Sequence, residues 1–210
     1  MFLFDFHHHH PNLHCGIYNL NLNDNERLRD VPFSIGLHPN EIKRLGWKAE
    51  MEIVKQLSLD KYCNAIGECG LDRLVTTDID FQKEVFLEQI LWANEIGKPI
   101  IVHCVRAYSE LVSLHKKAIV PMIIHGYNKK ERLAEELLAH GFYLSFGKAA
   151  FQNVSLQTVI KKMPLNKLFL ETDDADFDLE LLYQKVAQLR SITMAELQEQ
   201  IEFNYKTILG

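Results

Sequence analysis

No apolar stretch of this 210-residue chain approaches the roughly 20 residues that a helix needs to cross a bilayer. Its amino end, MFLFDFHHHH, lacks the basic flank and the cleavage site of a secretory signal, so a cytosolic protein with no membrane partner is expected. Positive charge is in short supply as well: 23 Lys and Arg stand against 28 Asp and Glu, a net charge of −5, with no long run of either sign. That balance argues against holding nucleic acid through a broad basic surface. It leaves open a nuclease whose bound metal brings positive charge to the phosphate. Cys15, Cys63, Cys69 and Cys104 include no C-x-x-C pair, and a chain of this size does not need disulfides to compensate for a small core; reduced thiols are expected. Linkers, low-complexity tracts and internal repeats are absent, so residues 1–210 read as a single domain.

What is abundant is histidine, 10 residues with four in succession at positions 7 to 10. Phe2, Leu3, Phe4 and Phe6 run straight into that cluster, which marks it as part of the folded pattern rather than an expression tag. Apolar runs rich in β-branched and aromatic residues recur at 2–6, 16–20, 32–37, 63–67, 99–102, 120–124, 142–146 and 167–170. These are eight candidate strands.

Helical patterns separate the later strands. Phe81, Val85, Phe86, Ile90, Ala93 and Ile96 form one apolar stripe that stops at Gly97, with Pro99 beyond. Asn128 with Glu131, and Thr193 with Glu196, resemble capping boxes. Strands alternating with helices imply parallel βα units, and eight of them imply a closed (β/α)8 TIM-type barrel. An open doubly wound sheet is the alternative. Only residues 7–15 separate the first two strands, fewer than the dozen or so that a parallel crossover takes. The barrel is therefore expected to be trimmed near its first βα unit.

Asp5, His7 and His9 alternate as the first strand ends, so period-2 geometry puts them on one face, with His8 and His10 on the other. Further along, Glu68, His103, His125 and Asp173 each follow an apolar strand. In a parallel barrel those strand ends converge on one rim, where active sites of this fold are built. Four imidazoles and two carboxylates, His7, His9, Glu68, His103, His125 and Asp173, are enough to bind two divalent ions with positions left for water.

Several motifs occur in order: Asp5-x-His7-x-His9, Gly36-Leu37-His38-Pro39, Ile66-Gly67-Glu68-Cys69-Gly70-Leu71-Asp72, Ile101-Val102-His103, Ile123-Ile124-His125, Leu144-Ser145-Phe146-Gly147 and Glu171-Thr172-Asp173, with Asn204 in the last helix. The chain resembles the TatD-type metal-dependent hydrolases, deoxyribonuclease-like members of the amidohydrolase-like barrel superfamily. The resemblance implies that His7, His9 and Asp173 bind one metal, that His103 and His125 bind the other, and that Glu68 bridges the two. Three departures stand out. The family's Arg two residues after the histidine of the fifth strand is displaced here to Arg106; the proline after the final metal-binding Asp is absent; and the basic, glycine-containing segment beyond it is replaced by Asp173, Asp174, Asp176, Asp178 and Glu180.

The expected chemistry is hydrolysis of a phosphodiester, in short or single-stranded DNA rather than long duplex, because that acidic run repels a polyanion. Two divalent ions (Zn, Mg or Mn) would activate water, Glu68 would hold them together, and Asp173 would accept the proton. His38 and Arg106 are the candidates for substrate binding, with Lys148 and Asn128 behind them; a helix cap is the simpler role for Asn128. Asp72 is expected to orient a ligand rather than bind metal. An amidohydrolase-like enzyme acting on an amide, lactone or small ester is the alternative, followed by a non-catalytic metal-binding interaction protein.

Overall fold

The computed structural model describes residues 3–11, 13, 15–22 and 30–209. Its strands are β1 (Asp5–His8), β2 (Gly16–Leu20), β3 (Phe33–Ile35), β4 (Cys63–Asp72), β5 (Ile100–Val105), β6 (Met122–Ile124), β7 (Tyr143–Phe146) and β8 (Leu168–Leu170). Its α-helices are α1 (Trp47–Ser58), α2 (Ile79–Ile96), α3 (Tyr108–His115), α4 (Glu131–Ala139), α5 (Val154–Lys162), α6 (Leu179–Arg190) and α7 (Met194–Leu209). All eight strands lie in one sheet in chain order, every neighbouring pair parallel.

The sheet curls until its ends meet. Beyond β8, the Asp173 amide donates to the His7 carbonyl at 2.9 Å and the His9 amide donates to the Asp173 carbonyl at 3.0 Å, which makes a parallel bridge between His8 and Asp173. The architecture is the expected TIM-type barrel and not the open doubly wound sheet. Among the described residues no helix stands before α1, as a trimmed first unit requires. None of the helices is long and apolar enough to cross a membrane.

Local chemistry accounts for most element ends. Asp78 caps α2 by accepting the Phe81 amide at 3.0 Å, and Gly97 ends that helix at φ 67°. Thr193 and Glu196 form the reciprocal box at the start of α7, the Thr193 amide donating to Glu196 at 2.7 Å and the Glu196 amide to Thr193 Oγ1 at 3.2 Å. Near the other end of α7, the Asn204 amide donates to the carbonyls of Leu165 and Leu168, both at 2.9 Å. This pins the segment that leads into β8.

Three expectations are corrected. The first strand begins at Asp5, because its partner β2 starts only at Gly16, opposite Asp5; Phe2 lies outside the described residues. Asn128 does not cap α4. Lys130 occupies that position with no side-chain bond, while the Asn128 side-chain oxygen accepts from Asn153 at 2.7 Å, the residue that caps α5. Finally, Glu68 and His103 do not follow their strands but lie inside them, since β4 and β5 stay paired through Gly70 with His103, Leu71 with Cys104 and Asp72 with Val105. Gly70 permits that approach: its φ is 146°, and a Cβ there would meet the His103 carbonyl oxygen at 2.1 Å.

The core is the apolar content of these strands packed against one face of each helix. β5, β6 and β8 are buried on both faces through Ile100–Val102, Met122–Ile124 and Leu168–Leu170, as parallel strands covered by helices must be. A second cluster joins β2 and β3 to Trp47, Met51 and Val54 of α1. All four cysteines are free.

Candidate metal centre

Strand order brings the predicted residues to one place. β1 delivers His7, with His9 just past its end, β4 delivers Glu68, β5 His103, the residue after β6 is His125, and the residue closing the seam after β8 is Asp173. Glu68 stands at the middle, nearly buried. Its Oε1 faces three imidazoles, His103 Nδ1 at 2.7 Å, His125 Nε2 at 2.8 Å and His38 Nε2 at 3.3 Å. Its Oε2 faces two others, His7 Nε2 at 3.5 Å and His9 Nε2 at 3.8 Å. Asp173 Oδ1 lies 3.5 Å from His9 Nε2 and 3.7 Å from His7 Nε2.

Electrostatics follow from that crowding. Burial alone would raise the Glu68 carboxyl, but the charge of His125 and hydrogen bonds from His103, His125 and His38 hold it well below the ordinary carboxylate range. Burial likewise opposes charge on His125, yet Glu68 and Glu171 push its imidazole well above the usual value. Asp173 is held low against its own burial by a hydrogen bond from His9 and the nearby charges of His125 and His7. The backbone of Asp173 is left-handed at φ 57°, a conformation that is uncommon outside glycine and that Asp tolerates better than most.

Three groups of side chains could hold a metal ion: His7 with His9 and Glu68, His7 with His125 and Asp173, and His38 with Glu68 and His103, the donor atoms of each lying within 4.8 Å of one another. The chemistry of the set fits a divalent ion. The His7 ring is wholly buried and neither of its nitrogens has a hydrogen-bond partner. A buried imidazole left that way is costly, and a bound cation would give one of those nitrogens a partner.

The partners on the far side of the rings set which nitrogen points inward. His103 Nε2 is 3.0 Å from Asp72 Oδ2, leaving Nδ1 for Glu68 and a metal, the carboxylate-to-histidine arrangement typical of ligating imidazoles. Asp72 thus stands behind the His103 ring. His125 Nδ1 is 3.7 Å from Glu171 Oε1. Glu171 is fully buried and accepts a hydrogen bond from the Gly126 amide. The sequence signals Glu171 only as an acidic residue directly after the apolar run Leu168–Leu170. His38 differs: its Nδ1 accepts the Asn40 amide at 3.2 Å, so the ring proton sits on Nε2 and is directed at Glu68. In that tautomer the ring donates rather than ligates.

Other candidates stand apart from the cluster. Arg106 is exposed, left-handed at φ 55°, and makes no ion pair among the described residues. Lys148 opens a short 3-10 turn after β7 and is exposed too. His8 points away from the centre, beside Tyr18 at 5.9 Å between rings, and burial lowers its pKa to about 4.

A closed parallel barrel with imidazoles and carboxylates gathered at the carboxyl ends of its strands has the architecture of a metal-site barrel. The chain belongs to the TatD related DNase family, whose model matches residues 18–210. It is 35% identical over 146 residues to the uncharacterized metal-dependent hydrolase YabD of Bacillus subtilis (strain 168), covering 67% of this chain and 57% of that one. It is 29% identical over 147 residues to a protein of Cronobacter sakazakii named 3'-5' ssDNA/RNA exonuclease TatD, covering 66% and 55% respectively. The chain thus spans little more than half the length of these curated relatives. Among solved structures, YJJV, a TatD homolog from Escherichia coli K12, superposes with a TM-score of 0.72 at 22% identity over 84% of this chain and 76% of that one.

Proposed function

We propose that this chain is a divalent-metal-dependent phosphodiesterase, a deoxyribonuclease acting on short or single-stranded DNA. The observation that carries the reading is the division of Glu68, whose Oε1 faces His103 and His125 while Oε2 faces His7 and His9. A carboxylate so placed suits a bridge between two ions. In this reading His7, His9 and Asp173 hold one ion, His103 and His125 the other, with Zn, Mg or Mn as the candidate metals. When bound, such ions act as Lewis acids that lower the pKa of water toward neutrality and offset charge on a phosphoryl group.

The chain's own groups do the rest. Asp173, ionised and with a side chain 36% exposed, is open to water and accepts its proton. His38 donates from Nε2 toward the centre, and Arg106 grips the phosphate from the loop after β5. The distribution of exposed charge supports a strand lying across one side of the rim. Arg106, Lys129, Lys130 and Lys148 stand on the loops after β5, β6 and β7, whereas Asp174, Asp176, Asp178 and Glu180 follow β8. Such a partition suits a short footprint on a flexible single strand better than a long duplex, and the exonuclease name of the Cronobacter relative points the same way. The one continuous sheet and the extent of the family match support treating residues 1–210 as one domain.

The test is hydrolysis by metal-depleted protein resupplied with Mg, Mn or Zn, on short single-stranded DNA, duplex DNA, a generic phosphodiester and a panel of amides and lactones. Cleavage of the diester and the single strand is expected, with a shallow salt dependence. Turnover confined to amides or lactones would replace this reading with an amidohydrolase. Metal uptake with no turnover of anything would leave a binding protein, and a steep salt slope on duplex would overturn the substrate preference.

A further inference from the structure

Helix α2 buries two glutamines, Gln82 at 0% and Gln89 at 1% exposure. They stand seven positions apart, on one face of the helix, among Phe81, Val85, Phe86, Ile90 and Ala93. An amide in such company is costly unless it is hydrogen-bonded, and both are bonded in the same manner. The Asp72 amide donates to Gln82 Oε1 at 2.7 Å while Gln82 Nε2 donates back to the Asp72 carbonyl at 2.9 Å and to the Thr77 carbonyl at 2.7 Å. The Leu37 amide donates to Gln89 Oε1 at 2.7 Å while Gln89 Nε2 donates back to the Leu37 carbonyl at 3.2 Å.

A side-chain amide that pairs with both the N–H and the C=O of one residue replaces a neighbouring strand. The replacement comes where the sheet runs out. β3 pairs with β4 only through Phe33, Ser34 and Ile35, so Leu37 lies past the end of β3 and Asp72 extends well beyond the last rung that joins it to β3. Both gripped residues lead directly to the centre. Asp72 is the residue whose carboxylate meets His103 Nε2, and Leu37 immediately precedes His38.

We propose that Gln82 and Gln89 are positioning residues: α2 is a splint that fixes Asp72 and Leu37, and through them the direction of His103 and His38 around Glu68. The inference rests on the metal-centre reading above, and its main readout does not depend on activity. Gln82→Met and Gln89→Met keep length and volume but lose every one of these side-chain bonds, three for Gln82 and two for Gln89, and Val85→Ala removes buried packing from the same helix face while leaving both amides in place.

In the metal-free 210-residue chain, long-range proton–nitrogen NMR of the histidine rings reports the tautomer of each imidazole. Gln82→Met is expected to shift the His103 ring nitrogens and Gln89→Met those of His38, while Val85→Ala lowers the melting temperature and leaves both rings unchanged. Cobalt titration follows. Gln82→Met is expected to weaken one site at least tenfold and shift its visible absorption, whereas Gln89→Met, acting through a ring that does not ligate, leaves affinity within about twofold and lowers kcat on a small phosphodiester.

Ring signals and cobalt affinity in Gln82→Met that match those of Val85→Ala would overturn the splint. Should Gln82→Met not fold, Gln82→Glu keeps the acceptor for the Asp72 amide and sets a second carboxylate oxygen against the Asp72 and Thr77 carbonyls in place of the donor, and the same comparison applies. A parent protein that binds no cobalt and cleaves no diester removes the functional reading instead, while the ring signals still decide whether α2 sets the two histidines.

Discussion

The Asp5 carboxylate accepts both polar hydrogens of Thr172, the amide at 2.9 Å and the hydroxyl at 2.6 Å. The pair is buried, and burial pushes the Asp5 carboxyl up to about 7 despite those bonds. Because Thr172 is followed by Asp173, this contact sets the backbone from which a proposed metal ligand projects. Asp5→Ala strands two buried donors, each costing about 1–3 kcal/mol, so a loss of at least about 2 kcal/mol in urea unfolding is expected, together with weaker metal binding. Thr172→Val, which keeps the amide donor, is expected to lose about half as much. Equal stability of Asp5→Ala and the parent would show that the contact contributes nothing.

Glu68 faces every imidazole of the cluster, and its loss should empty the site. Elemental analysis of the purified parent is expected to find up to two divalent ions per chain, and Glu68→Ala to lose most of that content. Chelation of the parent should lower its melting temperature as well. At 100-fold excess over Kd, binding contributes about 2.7 kcal/mol, and a domain of this size moves about 2–4 °C per kcal/mol. Full metal occupancy in both Glu68→Ala and His103→Ala would mean that ions bind elsewhere.

Asp173→Asn separates proton transfer from metal retention. The amide keeps one oxygen and the size of the side chain but loses charge and basicity. The variant is expected to fold with parental circular dichroism and to retain at least one ion. Its turnover on a small phosphodiester should fall by at least the ~10²-fold typical of losing a general base. Hydrolysis within a few-fold of the parent under saturating metal would remove Asp173 from that role.

Acid sensitivity should have a contribution remote from the rim. His115, in the last turn of α3, packs on the Phe142 ring at 4.2 Å. Burial, with the neighbouring His140, lowers its pKa from the ordinary 6.5. A depressed histidine stays neutral in the fold while the unfolded chain takes up the proton, so stability is full above pH 6.5 and declines as pH falls below it. His115→Gln should therefore gain melting temperature relative to the parent on going from pH 7.5 to 5.5. A constant difference across that range would contradict the assignment.

Much of the barrel was legible because its strands are short apolar runs separated by strong helix stops, as at Gly97 and Pro99. Gly16–Leu20 matches the expected bounds, and Ile79–Ile96 ends just before Gly97, where the apolar stripe stops. What pattern alone misplaced were the ends set by partners distant in sequence. β4 continues to Asp72 because β5 pairs with it there, and Asn128 is drawn to Asn153 rather than to its own helix. The six proposed ligands were visible as polar residues interrupting apolar runs. The surrounding support was not, since Glu171, Gln82 and Gln89 acquire their partners only when β3, β4, β6, β8 and α2 come together. Gln82 and Gln89 read in the sequence as polar positions on an amphipathic helix, and nothing local distinguishes a buried amide from a solvated one.

The bridge between His8 and Asp173 also imposes an order of events during synthesis. His7 and His9 emerge from the ribosome well before Asp173, which bonds to both through its backbone and arrives only after β8. A growing chain that has exposed β4, β5 and β6 carries Glu68, His103 and His125 and can gather one half of the cluster. The other half cannot be completed while the seam is open. On the proposed ligand assignment, metal capture at His7, His9 and Asp173 would be tied to completion of the barrel, and an ion held there would report that the last strand has docked against the first.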